Sequence, residues 1–157
     1  MPTVEPDYEE LLRLFNKHRV HYCVIGAYAV AFHAVPRFTK DLDLLVGPSL
    51  ENGKRIIRAL KGFGFGSLDL SSSDFDRPGR IIQLGYEPVR VDLLTSIEGC
   101  TFEQVWKHRV TGRYGKQRVA FIGLNELILN KRASCRQQDQ ADLEILEVQR
   151  RRTRKRK

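Results

Sequence analysis

The stretch Asp41-Leu42-Asp43-Leu44-Leu45-Val46 sets two carboxylates into an otherwise apolar run, closed by Gly47-Pro48. Such a run reads as a strand, and strand side chains alternate between two faces. Asp41 and Asp43 therefore share one face, while Leu42 and Leu44 take the other. At about 3.3 Å per residue the two aspartates stand roughly 6.6 Å apart and repel each other. Carboxylates are costly in an apolar strand unless a cation offsets them. Oxygen ligands of this kind suit Mg²⁺ or Mn²⁺. The plainer alternative is a pair of solvated strand-end aspartates.

The flanking sequence supplies a mixed set of elements. Residues 5–19 put Tyr8, Leu11, Leu12 and Phe15 on one helical stripe, with acidic residues first and basic ones last, as the helix dipole favours. Residues 21–25 form a short apolar strand ending at Gly26. The alanine-rich segment 27–34 predicts a helix, which Pro36 stops. Ser49 is placed to cap a helix running to about Leu60, with Gly62, Gly64 and Gly66 ending it. Residues 71–79 read as a loop. Residues 80–86 and 89–95 read as a hairpin turning at Glu87-Pro88. A short helix fits 102–108, a strand fits 118–122, and helices fit 124–134 and 138–150. The order predicts an α+β domain with a mixed sheet, flanking helices and a helical C-terminus, not an alternating wind.

A third carboxylate, Asp92, lies in Val89-Arg90-Val91-Asp92-Leu93. Val89, Val91 and Leu93 share one face of that strand and Asp92 takes the other. If the strand runs about 4.8 Å from the first, three carboxylates converge. Such a group suits in-line phosphoryl chemistry with metal ions. Gly26, between a strand and a helix, lets backbone approach a ligand at the helix N-terminus, where open N–H groups favour phosphate. A plain turn would use the same glycine. Thr39 and Lys40 lie just upstream of the aspartates as further donors. Arg37 either adds another or pairs with Asp41.

Charge and cysteine usage narrow the class. Seven of the 27 basic side chains lie in residues 150–157, RRRTRKRK, leaving 20 against 19 acidic ones in a near-neutral body. The expected organisation is one domain over 1–149 and a basic, disordered tail over 150–157. The tail is either a solubilising end or a contact for nucleic acid or another polyanion. Cys23, Cys100 and Cys135 form no closely spaced pair, and the N-terminus carries no secretory pattern, so a cytoplasmic protein is expected. No apolar run approaches the roughly 20 residues of a membrane helix.

Val24-Ile25-Gly26-Ala27 followed by Arg37-Phe38-Thr39-Lys40-Asp41-Leu42-Asp43 resembles the signature of the DNA polymerase β-like nucleotidyltransferase superfamily. Arg-x-Thr-x-Asp-x-Asp further resembles small bacterial proteins related to abortive-infection nucleotidyltransferase toxins. So does the run Leu127-Ile128-Leu129-Asn130-Lys131 followed by Arg136, Asp139 and Asp142. The resemblance covers roughly residues 20–147. It implies a nucleotidyltransferase fold and Mg²⁺ or Mn²⁺ ligands at Asp41, Asp43 and Asp92, with Asp92 also the base. It implies NTP binding, ATP among the candidates, around Gly26, Ala27, Arg37, Thr39 and Lys40. Lys131 is either a phosphate contact or an ordinary surface lysine. The second turn residue departs from the pattern: Ala27 stands where many members have serine or glycine, and it offers no hydroxyl to a phosphate.

The expected activity is metal-dependent transfer of a nucleoside monophosphate from an NTP to a hydroxyl on a protein, an RNA or a small molecule. One alternative is a weakly active or non-catalytic module of a toxin–antitoxin or phage-defence pair, with a cognate partner protein or a second copy. The other is a nucleic-acid binder acting through the 150–157 tail.

Overall fold

The computed structural model describes residues 4–36, 39–63, 69–86, 88–134 and 136–156. The first helix, α1 (Pro6–Lys17), carries proline in its first turn and is capped by the Glu5 side chain; Tyr8, Leu11, Leu12, Leu14 and Phe15 are buried. Strand β1 (Tyr22–Ile25) is buried at every position. Helix α2 (Gly26–His33) follows without a break. Strand β2 (Leu42–Val46) begins one residue after Asp41. Helix α3 (Leu50–Phe63) starts where the Ser49 hydroxyl accepts the Asn52 N–H, so serine caps it as its sequence position predicts. Gly62 lies inside that helix; Gly64 and Gly66 lie outside the described residues. A 3₁₀ turn at Ser72–Phe75 lies within the loop expected over 71–79.

Strands β3 (Ile81–Tyr86) and β4 (Val89–Leu94) form the expected antiparallel pair. After α4 (Phe102–Lys107), strand β5 (Val110–Tyr114) precedes β6 (Gln117–Phe121). Sequence reading omitted β5, whose polar Thr111, Gly112 and Arg113 hide the alternation. Helices α5 (Leu124–Ala133) and α6 (Gln137–Lys155) complete the chain. The tail expected to be disordered from residue 150 instead continues α6 to Lys155. Arginine and lysine are good helix formers, and cations suit a helix C-terminus.

The six strands form one mixed sheet in the order β3-β4-β2-β1-β6-β5. Three neighbouring pairs are antiparallel, while β2–β4 and β1–β6 are parallel. Helices α1 and α3 pack together, and α2, α5 and α6 form a second group. No described helix is long and apolar enough to cross a membrane.

The central strands β1 and β2 are joined at the end away from the aspartates by Asn52. Its buried amide oxygen accepts the His21 N–H at 2.8 Å, and its nitrogen donates to the carbonyls of His21 and Gly47. A polar side chain is stable in that interior because three backbone groups satisfy it.

Candidate nucleotide site

The parallel β2–β4 pairing sets Asp43 directly beside Asp92. Partnered residues of neighbouring strands present side chains to the same face, about 4.8 Å apart in backbone position. Asp41 lies two residues before Asp43, just outside the strand. Leu42 and Leu44 are fully buried on the opposite face. The topology therefore sets Asp92 beside Asp43, with Asp41 on the segment leading into β2.

The cluster is electrostatically tense. Burial pushes the Asp43 carboxyl up from 3.8 to about 6, and the charges of Asp92 and Asp41 add to this; Arg90 and Arg136 oppose it. Arg90 grips Asp92 with two parallel bonds, Nε to Oδ1 at 3.2 Å and Nη2 to Oδ2 at 3.1 Å. Asp41 Oδ1 is buried without a hydrogen-bond partner among the described residues, and so is the Thr39 hydroxyl. Orphaned buried oxygens at an acidic cluster fit a ligand that supplies the missing contacts. The all-oxygen donor set matches a hard divalent cation. Among the described residues, however, no three His, Cys, Asp or Glu side chains are gathered closely enough to hold one as they stand.

Gly26 packs against this cluster. Its φ is +68°, and a Cβ there would fall 2.6 Å from Asp43 Oδ2. Both facts exclude a side chain. Glycine is thus required by the approach of helix α2 to the carboxylate, which a plain turn would not demand. Ile25 gives α2 no side-chain cap, so the first amides of that helix open beside Asp43. Ala27 is the second residue of the helix.

The other expected contacts divide. The Lys40 side chain is exposed, and Arg37 lies outside the described residues. Lys131 is neither a surface lysine nor open to a phosphate. It is buried, with Nζ 2.8 Å from Asp139 Oδ1 and 3.3 Å from Asp142 Oδ2. Although burial alone would raise it, the Asp139 carboxyl is held at about 2 by hydrogen bonds from Lys131 and Ser134 and the charges of Lys131 and Arg136. Cys23 and Cys100 offer no nucleophile, because burial pushes their thiols up to about 12 and about 11.

Tyr8 is the positioning group that sequence reading assigned only to the core. Its hydroxyl lies 2.5 Å from the Lys40 carbonyl and 2.9 Å from that of Arg90, and it accepts the Arg90 N–H at 3.2 Å. One side chain thereby ties together the backbone just before Asp41 and that just before Asp92. Its helical stripe gave no sign that the ring's far end was polar-bonded across 82 residues.

A mixed six-stranded sheet with a glycine-led helix against paired strand carboxylates defines a nucleotidyltransferase fold. The chain belongs to the family described as "Nucleotidyl transferase of unknown function (DUF2204)", which it matches over residues 5–156. Two solved structures share the fold. One is lincosamide antibiotic adenylyltransferase LnuA, bound to lincomycin, with a TM-score of 0.56 and 14% identity over 92% of this chain and 97% of that one. The other is a putative nucleotidyltransferase (TM1012) from Thermotoga maritima, with a TM-score of 0.57 and 14% identity over 98% of this chain and 94% of that one. No curated protein matches the sequence.

Proposed function

We propose that this chain moves a nucleoside monophosphate from an NTP to a hydroxyl of an acceptor. The observation that carries the reading is Asp43, set beside Asp92 and pressed against Gly26. Asp41 and Asp43 would hold Mg²⁺ or Mn²⁺, joined by Asp92 once Arg90 releases it. A divalent cation bound there supplies charge neutralisation for the phosphates and lowers the pKa of a bound hydroxyl. The amides after Gly26 face the phosphate chain, and Thr39 offers its hydroxyl. Asp92 accepts the acceptor's proton as the acceptor oxygen bonds to the α-phosphorus and the bond to pyrophosphate breaks. The reaction class is shared with the family; the base, the acceptor and a cytoplasmic setting belong to this proposal.

The bidentate Arg90–Asp92 pair favours a second reading. A site locked in that state binds nucleotide without turnover and serves as a module of a two-protein pair. Thermal denaturation with ATP, GTP, CTP or UTP and Mg²⁺ or Mn²⁺ tests binding, since a ligand of the native state raises the midpoint. Stabilisation by one nucleotide, lost in the double variant Asp41→Asn, Asp43→Asn, is expected. No response, or an equal response from the variant, sinks both readings. Label transfer from that nucleotide to an acceptor in cell extract separates the enzyme from the silent module.

A further inference from the structure

We propose that the cavity between the basic end of α6 and the start of α5 is a binding site for a phosphate ester, gripped by Arg150 and Arg154 and by His108, which Glu126 orients. None of the residues lining it belongs to the aspartate cluster, so the site stands whether or not that cluster turns a nucleotide over.

The cavity has a volume of about 410 Å³ and is walled by α5, α6 and the link from α4 into β5. Arg150 and Arg154 lie one turn apart on α6, roughly 6 Å along its axis, and so address the cavity from one face of the helix. Gly123, the N-cap of α5, and Asn125 in its first turn bring the start of that helix to the same space.

Charge there is unbalanced. Two guanidiniums one turn apart repel, and a helix start carries the positive end of its dipole. The carboxylates nearby are already engaged. Glu126 is buried and lies 2.9 Å from His108 Nδ1. Glu147, the last acidic residue of the sequence, is held by Arg132 at 2.7 Å. Among the described residues no ion pair engages Arg150 or Arg154. Cavity walls charged with one sign concentrate the opposite ion.

The donors select which anion. Guanidinium forks pair with the oxygens of carboxylates and phosphates. Two forks a helical turn apart need oxygens directed to more than one side, which a tetrahedral phosphate has and a planar carboxylate lacks. His108 adds a third contact: Nδ1 is spent on Glu126, which leaves Nε2 for the ligand, and the imidazolium form donates from it. The Thr153 hydroxyl is part of the wall only, because it donates to the Gln149 carbonyl at 3.0 Å. The volume falls in the range of small-molecule sites and exceeds what a bare phosphate fills, so the phosphate arrives on an organic group.

The test titrates the metal-free full chain with ribose 5-phosphate, and separately with a short single-stranded oligouridylate, at fixed pH and ionic strength. The His108 ring resonance, identified by its loss in His108→Ala, reports binding by NMR. A saturable shift is expected in the wild type. The double variant Arg150→Ala, Arg154→Ala should bind about tenfold or more weakly, as for loss of charged hydrogen bonds. The double variant Arg151→Ala, Arg152→Ala removes the same charge from the tail and should bind the ester as the wild type does. Alanine favours helix, so both are expected to fold. Saturation by the ester identifies a small phosphate ligand, and saturation by the oligouridylate alone identifies a phosphodiester chain; either supports the site. No saturable shift with either probe, or equal weakening in the two double variants, overturns it.

Discussion

Asp43 and Asp92 stand side by side across the parallel β2–β4 pair, 49 residues apart in sequence. Asp41 and Asp43 are neighbours within one segment; the crossover adds Asp92 from the adjacent strand. The fold tolerates the pair partly by holding a proton more tightly on Asp43, whose carboxyl burial and neighbouring charges push up to about 6. It also sets Arg90 on Asp92.

That upward shift fixes a pH dependence. The native state binds Asp43's proton more tightly than the unfolded chain does, so stability falls as pH rises from about 4 to about 6. Asp43→Asn removes this slope and stabilises the metal-free protein at pH 7 by about 2–3 kcal/mol. Urea melts from pH 4 to 8 measure it. Asp139 acts in a separate window, since its stabilisation is lost only as pH falls below about 4 toward about 2. A variant no more stable than wild type at pH 7 contradicts the assignment.

Gly26→Ala forces a Cβ into the Asp43 carboxylate at a backbone angle suited to glycine. The left-handed angle alone costs about 1–2 kcal/mol, and the overlap adds to it. Denaturant melts should show the loss. Whatever fraction folds should give no thermal shift with NTP and metal.

Tyr8→Phe keeps the ring but deletes the hydroxyl that joins Lys40 to Arg90. A loss of about 1–3 kcal/mol is expected, because buried backbone groups lose a partner. Nucleotide affinity should fall with it, because the deleted tie spaces the segments that carry Asp41 and Asp92. Full affinity in a folded Tyr8→Phe protein would exclude the positioning role.

Lys131→Met withdraws the ammonium shared by two buried carboxylates. Breaking such a buried pair costs about 3–5 kcal/mol. Chemical denaturation should show it, and acidification should restore part of the loss by protonating the carboxylates. A surface lysine would show neither effect.

Much of this was legible in the sequence because it rests on local pattern. Alternation alone puts Asp41 and Asp43 on one face with Leu42 and Leu44 opposite, and Ser49 announces its helix by capping chemistry. The neighbourhood of Asp92 was legible only as a condition, since strand order is a long-range property that no window of sequence contains. Lys131 misled because its helix has no clear apolar face; its burial depends on Asp139 and Asp142 arriving from the next helix. Strand β5 escaped because Gly112 and Arg113 break the apolar rhythm, while the partner strand β6 supplies the pairing that holds it. The tail misled in the opposite direction: its charge pattern reads as self-repelling, yet helix propensity and the preceding turns carry α6 through it.

Because α6 is continuous, it works as a ruler. Arg136 at its start and Arg150 near its end are fourteen residues apart, which is about 21 Å along a helix at 1.5 Å per residue. A single polyanion touching both cations would have to bridge that span. A drug-sized molecule is too short, whereas a few nucleotides of extended strand or a folded polyanionic partner are long enough. The length of a polyanion, independent of its chemistry, thus sets whether it could meet one end of the helix or both.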